Sequence, residues 1–211
     1  MKTSVAAIAA ISVLFVTACG DKKAASKENF KTAIQAYFDS KPGACVGLPD
    51  KQMPFKVESG GFRVSRIDQA DALVEAGLLS KRETEVPSTG YFGPNKMVPG
   101  VEYSLTDEGA KQVVKSAGSD FDKRDGFCAG KYQVVEVINF TDPAEAYGQK
   151  LSQANYRYKV ESPPAWAKLP RMQAVFPQLA KDMKDDPADK AVLVSTSEGW
   201  LHERVFKGKG N

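Results

Sequence analysis

Leu73-Val74-Glu75-Ala76-Gly77-Leu78-Leu79 holds the end of one element and the start of the next. Upstream of it, Ile67, Ala70, Leu73 and Val74 recur at the three- and four-residue spacing of a buried helix face. Ser65, with Asp68 three residues on, has the form of a capping box at the start of that helix. Gly77 stops it, because a residue without a side chain takes the left-handed conformation at little cost. Residues 78–86 then read as a strand and 101–105 as its partner, with a Gly- and Pro-rich loop at 87–100 between them. Tyr103-Ser104-Leu105-Thr106-Asp107-Glu108-Gly109 leads out of the second strand. There Thr106 is placed to cap a third helix, and Asp107 and Glu108 lie near its positive end. Its inward face is Ala110, Val113, Val114 and Ala117, and Gly118 ends it.

Working outward, Phe30, Ala33, Ile34, Tyr37 and Phe38 predict a first helix, closed by Pro42-Gly43. Residues 55–57 form a short extended run before Gly60-Gly61. After a loop at 118–130, residues 132–140 are dense in Val and Ile, as a mostly buried strand should be. Asp142-Pro143 breaks it, and residues 144–152 read as a short helix or a wide loop. Tyr156, Tyr158 and Val160 alternate with Arg157, Lys159 and Glu161, the signature of a half-exposed strand. Met172, Val175, Phe176, Leu179 and Met183 have helical spacing, with Pro177 kinking the helix or starting a new turn. Residues 191–195 and 200–206 flank a closing hairpin.

The order helix, strand, long loop, strand, helix, with the two segments quoted above, resembles the helix-wing half of winged-helix regulators over residues 62–117. The resemblance implies an α+β chain with a winged-helix-like domain at 28–118. A second α+β domain follows at 119–211, a mainly antiparallel sheet with one helical layer. In that family the helix before the glycine reads DNA. Here Ser65-Arg66-Ile67-Asp68-Gln69-Ala70-Asp71 sets one arginine against two aspartates, so phosphates are repelled as much as attracted and no nucleic-acid partner is expected.

The N-terminus carries a different signal. Lys2 supplies a positive start, residues 4–15 an apolar run too short for a comfortable membrane span, and Ala18 a small residue before a cleavage point. Val16-Thr17-Ala18-Cys19 resembles the lipobox of bacterial lipoproteins. The resemblance implies a signal peptide over 1–19 that ends in a lipidated (palmitate-bearing) Cys19, followed by a polar tether at 20–27. With Gly20 rather than aspartate after the cysteine, it also implies outer-membrane sorting, facing the periplasm, with the cell surface as the alternative. Several acyl chains on one residue hold a protein to a membrane where a single chain is marginal. In an oxidising compartment, Cys45 and Cys128 are expected to form one structural disulfide; they lack CxxC spacing.

A formal charge of +3, with acids and bases interspersed, and 42% apolar and 26% charged residues describe an ordinary folded chain rather than a nucleic-acid binder or a disordered one. His202 is the one histidine and has no recognisable catalytic neighbours in sequence. Asp120, Asp122, Asp125 and Gly126 superficially match a calcium loop, but the glycine falls one place late and Lys131 stands where a glutamate belongs. Asp182, Asp185, Asp186 and Asp189 read as an exposed helix end. No metal and no cofactor are expected. Two kinds of surface candidate remain: Tyr91, Phe92, Lys96 and Met97 for contact with a protein partner, and Trp166 and Trp200 for stacking on a ligand. The expected role is a non-enzymatic envelope lipoprotein that binds or scaffolds another envelope component; the alternative is a periplasmic hydrolase or small-ligand carrier using an interdomain cleft. If Cys19 carries the lipid, Cys19→Ser abolishes incorporation of labelled palmitate while Cys45→Ser does not. Undiminished labelling of the Cys19 variant would refute the assignment.

Overall fold

The computed structural model describes residues 21–59, 64–88, 96–117 and 124–208. The leader, Cys19 and Gly20 lie outside these residues, as do Tyr91, Phe92, Asp120 and Asp122. The chain is α+β, with antiparallel sheets and short helices. Helix α1 (Lys27–Asp39) starts where the Ser26 hydroxyl accepts from the Asn29 amide at 3.2 Å, and it buries Phe30, Ala33, Ile34 and Phe38. The residues just before it are held in place. Asn29 Nδ2 donates to the carbonyls of Asp21 and Ala24, each at 2.8 Å, and Trp200 Nε1 donates to that of Lys23 at 3.1 Å. Residues 21–26 of the expected tether are thereby tied to the folded body.

Strands β1 (Cys45–Gly47) and β2 (Phe55–Glu58) precede α2 (Val64–Glu75), which begins one residue ahead of the expected Ser65 cap. Gly77, at φ +74°, turns the chain out of α2 into β3 (Leu79–Pro87). β4 (Met97–Leu105) returns beside it and is longer than expected, since Pro87 still pairs with Met97. The sheet order is β2-β4-β3. Glu102 on the central strand lies opposite Lys56 on one side and Arg82 on the other, with ion pairs of 3.2 and 2.9 Å. Asp71 of α2 ties the helix to this sheet by accepting from Tyr103 Oη at 2.9 Å and Lys81 Nζ at 3.0 Å.

Thr106 caps α3 (Asp107–Gln112) through the Gly109 amide at 2.9 Å. A Cβ on Gly109 would sit 2.0 Å from the Leu78 carbonyl oxygen, so only glycine lets this helix lie against the strand entry. The expected helix to Ala117 stops early. Val113 and Val114 form β5 (Val113–Val114) and pair with β6 (Gly126–Cys128) inside the expected 118–130 loop. Two adjacent β-branched residues gain more from a ladder than from another helical turn. β1 pairs with the other edge of β6, which sets Cys45 directly opposite Cys128, and the two form the expected disulfide.

The remaining chain forms β7 (Tyr132–Phe140), β8 (Ala144–Ala146), β9 (Gln149–Val160), a 3₁₀ turn (Ala165–Lys168), α4 (Pro170–Val175), α5 (Pro177–Asp182), β10 (Ala188–Thr196), β11 (Gly199–His202) and α6 (Glu203–Gly208). Residues 144–152 are strands turning at Tyr147 and Gly148, both at positive φ, rather than a helix or wide loop. The closing hairpin ends at His202, and a helix replaces the second half of its expected strand. Strands β11-β10-β9-β7 form a sheet that curls into a half-barrel, helped by two register shifts along β7.

Two hydrophobic clusters result, and they do not divide at Gly118. The face of α1 packs into the half-barrel against Val134, Val137, Ala154, Leu193 and Trp200, with Phe30 edge-on to Phe140 and Trp200 at 4.8 Å. In return, Phe127, Trp166, Met172 and Leu179 of the second half join Leu73, Leu78 and Tyr103 of the first. Each half of the sequence thus completes the core of the other. Replacing both Cys45 and Cys128 by alanine removes a closure spanning 83 positions. Its expected cost is about 2–4 kcal/mol of unfolding free energy. A urea midpoint unchanged from the oxidised wild type would contradict it.

Candidate functional site

At the open end of the half-barrel, where the two clusters meet, lies a cavity of about 500 Å³. Tyr156 and Tyr158 are two residues apart on β9, so both point to the same, inner face. Pairing of β7 with β9 sets Tyr132 opposite Val160 at the same end. Helix α5 closes over this mouth and presents its last residue, Asp182, to the tyrosines.

Asp182 is 3% exposed and accepts from Tyr132 Oη and Tyr158 Oη, each at 2.8 Å, and from Gln178 Nε2 at 2.9 Å. A carboxylate offers roughly four acceptor positions, and neutral donors fill three of them. No lysine or arginine among the described residues pairs with it; its neighbour Lys181 turns instead to Asp189 at 2.7 Å. Burial pushes the Asp182 carboxyl above its ordinary range, against the three hydrogen bonds that pull it down. The hydroxyls of Tyr132 and Tyr158 are pushed up by burial first and by the Asp182 carboxylate second. Tyr156 is 3% exposed, and its hydroxyl has no hydrogen-bond partner among the described residues. Tyr156 lines the cavity together with Tyr37, Asp182, Asp189 and Arg204, and burial pushes its hydroxyl up.

The opposite wall is His202, stacked on Tyr37 at 4.1 Å between centroids. Its Nδ1 accepts from the Arg204 amide at 3.2 Å, which puts the proton of the neutral ring on Nε2. Burial holds its pKa down to about 4. Arg204 Nη1 donates to Tyr37 Oη at 3.0 Å, and the Lys41 ammonium lies 5.3 Å from the Tyr37 ring centre. Lys190 stands exposed at the rim and has no ion-pair partner among the described residues.

Of the residues singled out from sequence, His202, Asp182, Asp189 and Cys45 line this cavity, and the described surface candidates do not. Trp166 and Trp200 do not line this cavity. They are 6% and 7% exposed in the two cores, and their indole N–H groups are spent on Gln112 and on the Lys23 carbonyl. Lys96 and Met97 are exposed at the base of the β3–β4 hairpin, and Tyr91 and Phe92 lie outside the described residues. Asp125 is tied to Lys115 at 2.6 Å, and Lys131 donates to the Lys41 carbonyl. Asp182 is not part of an exposed acidic helix end; Asp185 and Asp186 are exposed, and Asp189 belongs to β10. Its position three residues after Leu179 put it at the margin of the apolar stripe, the one signal in the sequence that it turns inward.

No family model, curated protein or solved structure matches this chain.

Between pH 6.5 and 4 an unfolded histidine takes up its proton before buried His202 does. Stability from the neutral ring is therefore complete above pH 6.5 and is lost as pH falls toward about 4. Asp182 acts in the opposite sense: its raised pKa favours the folded state on the acid side, and that contribution fades as pH rises through it. His202→Gln is expected to flatten the fall in urea midpoint from pH 6.5 to 4. An equally steep fall in the variant would remove His202 as its cause.

Proposed function

We propose that this chain is a lipid-anchored envelope protein that binds a small ligand in the cavity at the open end of the half-barrel. The observation that carries this reading is the pairing, in one cavity, of a buried carboxylate that has no cationic partner and a buried hydroxyl that has no hydrogen-bond partner among the described residues. Buried polar groups are normally satisfied, and a concave site with a few convergent polar groups is the usual form of a ligand pocket. The position agrees with a cleft between the halves of the chain.

Binding rather than hydrolysis is favoured by the lining. Among the described residues it includes no serine, its one cysteine is Cys45 of the disulfide, and His202 Nδ1 is held by a backbone amide instead of a carboxylate. The lipid at Cys19 and the outer-membrane location belong to this proposal. They are supported by the leader and by the disulfide, and no helix among the described residues is long and apolar enough to cross a membrane. A winged-helix-like arrangement of residues 28–118 is likewise proposed, supported by the run α2, β3, β4, α3 and the order β2-β4-β3. Within it Arg66 is paired with Asp50 at 2.7 Å, and Asp71 is engaged with the sheet, which leaves little on α2 for phosphates. A protein-partner role for the hairpin rests, within the described residues, on Lys96 and on Met97, which is 51% exposed. That is less than the cavity offers.

Native mass spectrometry of detergent-released protein tests the reading. Wild type is expected to retain a small envelope metabolite that Ala117→Phe, which fills the cavity wall, does not. Identical spectra for the two proteins, with the variant folded, would refute it.

A further inference from the structure

The cavity has a polarity of its own, and this inference rests on the reading that it binds a small ligand. At its floor, Asp182 keeps about one acceptor position unfilled. Tyr156 lines the same cavity, and its hydroxyl has no hydrogen-bond partner among the described residues. The surrounding surfaces are the faces and edges of Tyr37, Tyr132, Tyr156 and Tyr158. An isolated carboxylate in a water-poor site is costly unless a cation approaches it, and aromatic faces attract cations too. At the rim, Lys41, Lys190 and Arg204 line the cavity together with Glu203 and Asp189, and the Asp189 carboxylate is already taken by Lys181.

We infer that the ligand is a small zwitterion, an aliphatic amino acid or short peptide fragment, with its ammonium group on Asp182 and Tyr156 and its carboxylate at the Lys190 rim. The ammonium donates to the remaining lone pair of Asp182 and to the Tyr156 oxygen, with tyrosine rings around its alkyl stem. Lys190 supplies the countercharge for the other end. A simple amine lacks a partner for that rim, and a simple carboxylate meets Asp182 with a like charge. A volume of about 500 Å³ suits a ligand of this size.

Calorimetric titration of the mature, detergent-solubilised protein tests this with a series of ω-amino acids roughly four to eight carbons long, set against alkylammonium ions and alkyl carboxylates of the same lengths. The best ω-amino acid is expected to bind at least about tenfold more tightly than either single-charge control. Asp182→Asn should abolish that preference, and Lys190→Gln should bring the ω-amino acid down to the level of the amine. Tyr156→Phe removes a hydroxyl that bonds no other described residue, so it should fold normally and weaken binding roughly three- to tenfold. An alkylammonium ion that binds as tightly as its ω-amino acid overturns the rim assignment, and a carboxylate that does so overturns the floor assignment. If the metabolite retained by wild type and lost from Ala117→Phe proves neutral or anionic, this inference fails while the cavity reading stands. If no probe binds and no metabolite is retained, both fail.

Discussion

The Asp182 carboxylate joins the two hydrophobic clusters of this protein by hydrogen bonds from Tyr132 on β7, Tyr158 on β9 and Gln178 on its own helix. The last turn of α5 belongs to one cluster through Leu179, and the tyrosines belong to the wall of the other. Hydrogen bonds to a charged group contribute about 1.5–3 kcal/mol each, and a buried carboxylate stripped of them would carry its full desolvation cost. The network therefore fixes how α5 sits over the half-barrel. That placement defines the floor of the cavity.

The exchange of helices between the halves sets up this arrangement. α1 carries an aromatic face, and the inner face of the half-barrel offers small residues, Ala154 and Ala191, beside Val137 and Leu193, where large rings can seat. Gln35 fastens the helix to the β7 edge, donating to the Tyr132 carbonyl at 3.0 Å and accepting from the Val134 amide at 2.8 Å. That contact covers backbone groups an edge strand would otherwise expose. On the other side, α4 and α5 each begin with proline and stay short, and they give Met172 and Leu179 to the cluster around α2. The Cys45–Cys128 bridge fastens β1 to β6 between these two exchanges.

Much of the fold was legible because its signals are local. Gly77 at positive φ, Thr106 as a cap, the strand from Tyr132 to Phe140 and the restart at Pro177 each follow from a residue and its near neighbours. The misreadings came where strand pairing outweighed the local pattern. Val113 and Val114 kept helical spacing but found a strand partner in Phe127 and Gly126, and residues 144–152 became a hairpin because β8 could pair with β9. Of the site, only His202 and the inward alternation of Tyr156 and Tyr158 were readable. Trp166 and Trp200 attracted notice by size alone, and size sent them to the cores.

By itself the sequence determined most of the element types, the one possible disulfide among Cys45 and Cys128 once Cys19 is set aside, and the α+β class, since caps, turns and periodicity act over a few residues. Only the tertiary structure decided that α1 fills the second half's sheet, that α4 and α5 return to the first half, and that Asp182 faces inward among tyrosines. Those outcomes depend on which apolar faces meet across more than a hundred residues of chain, such as Phe30 and Trp200. No local pattern encodes that choice, because each face is equally apolar until its partner's shape selects it.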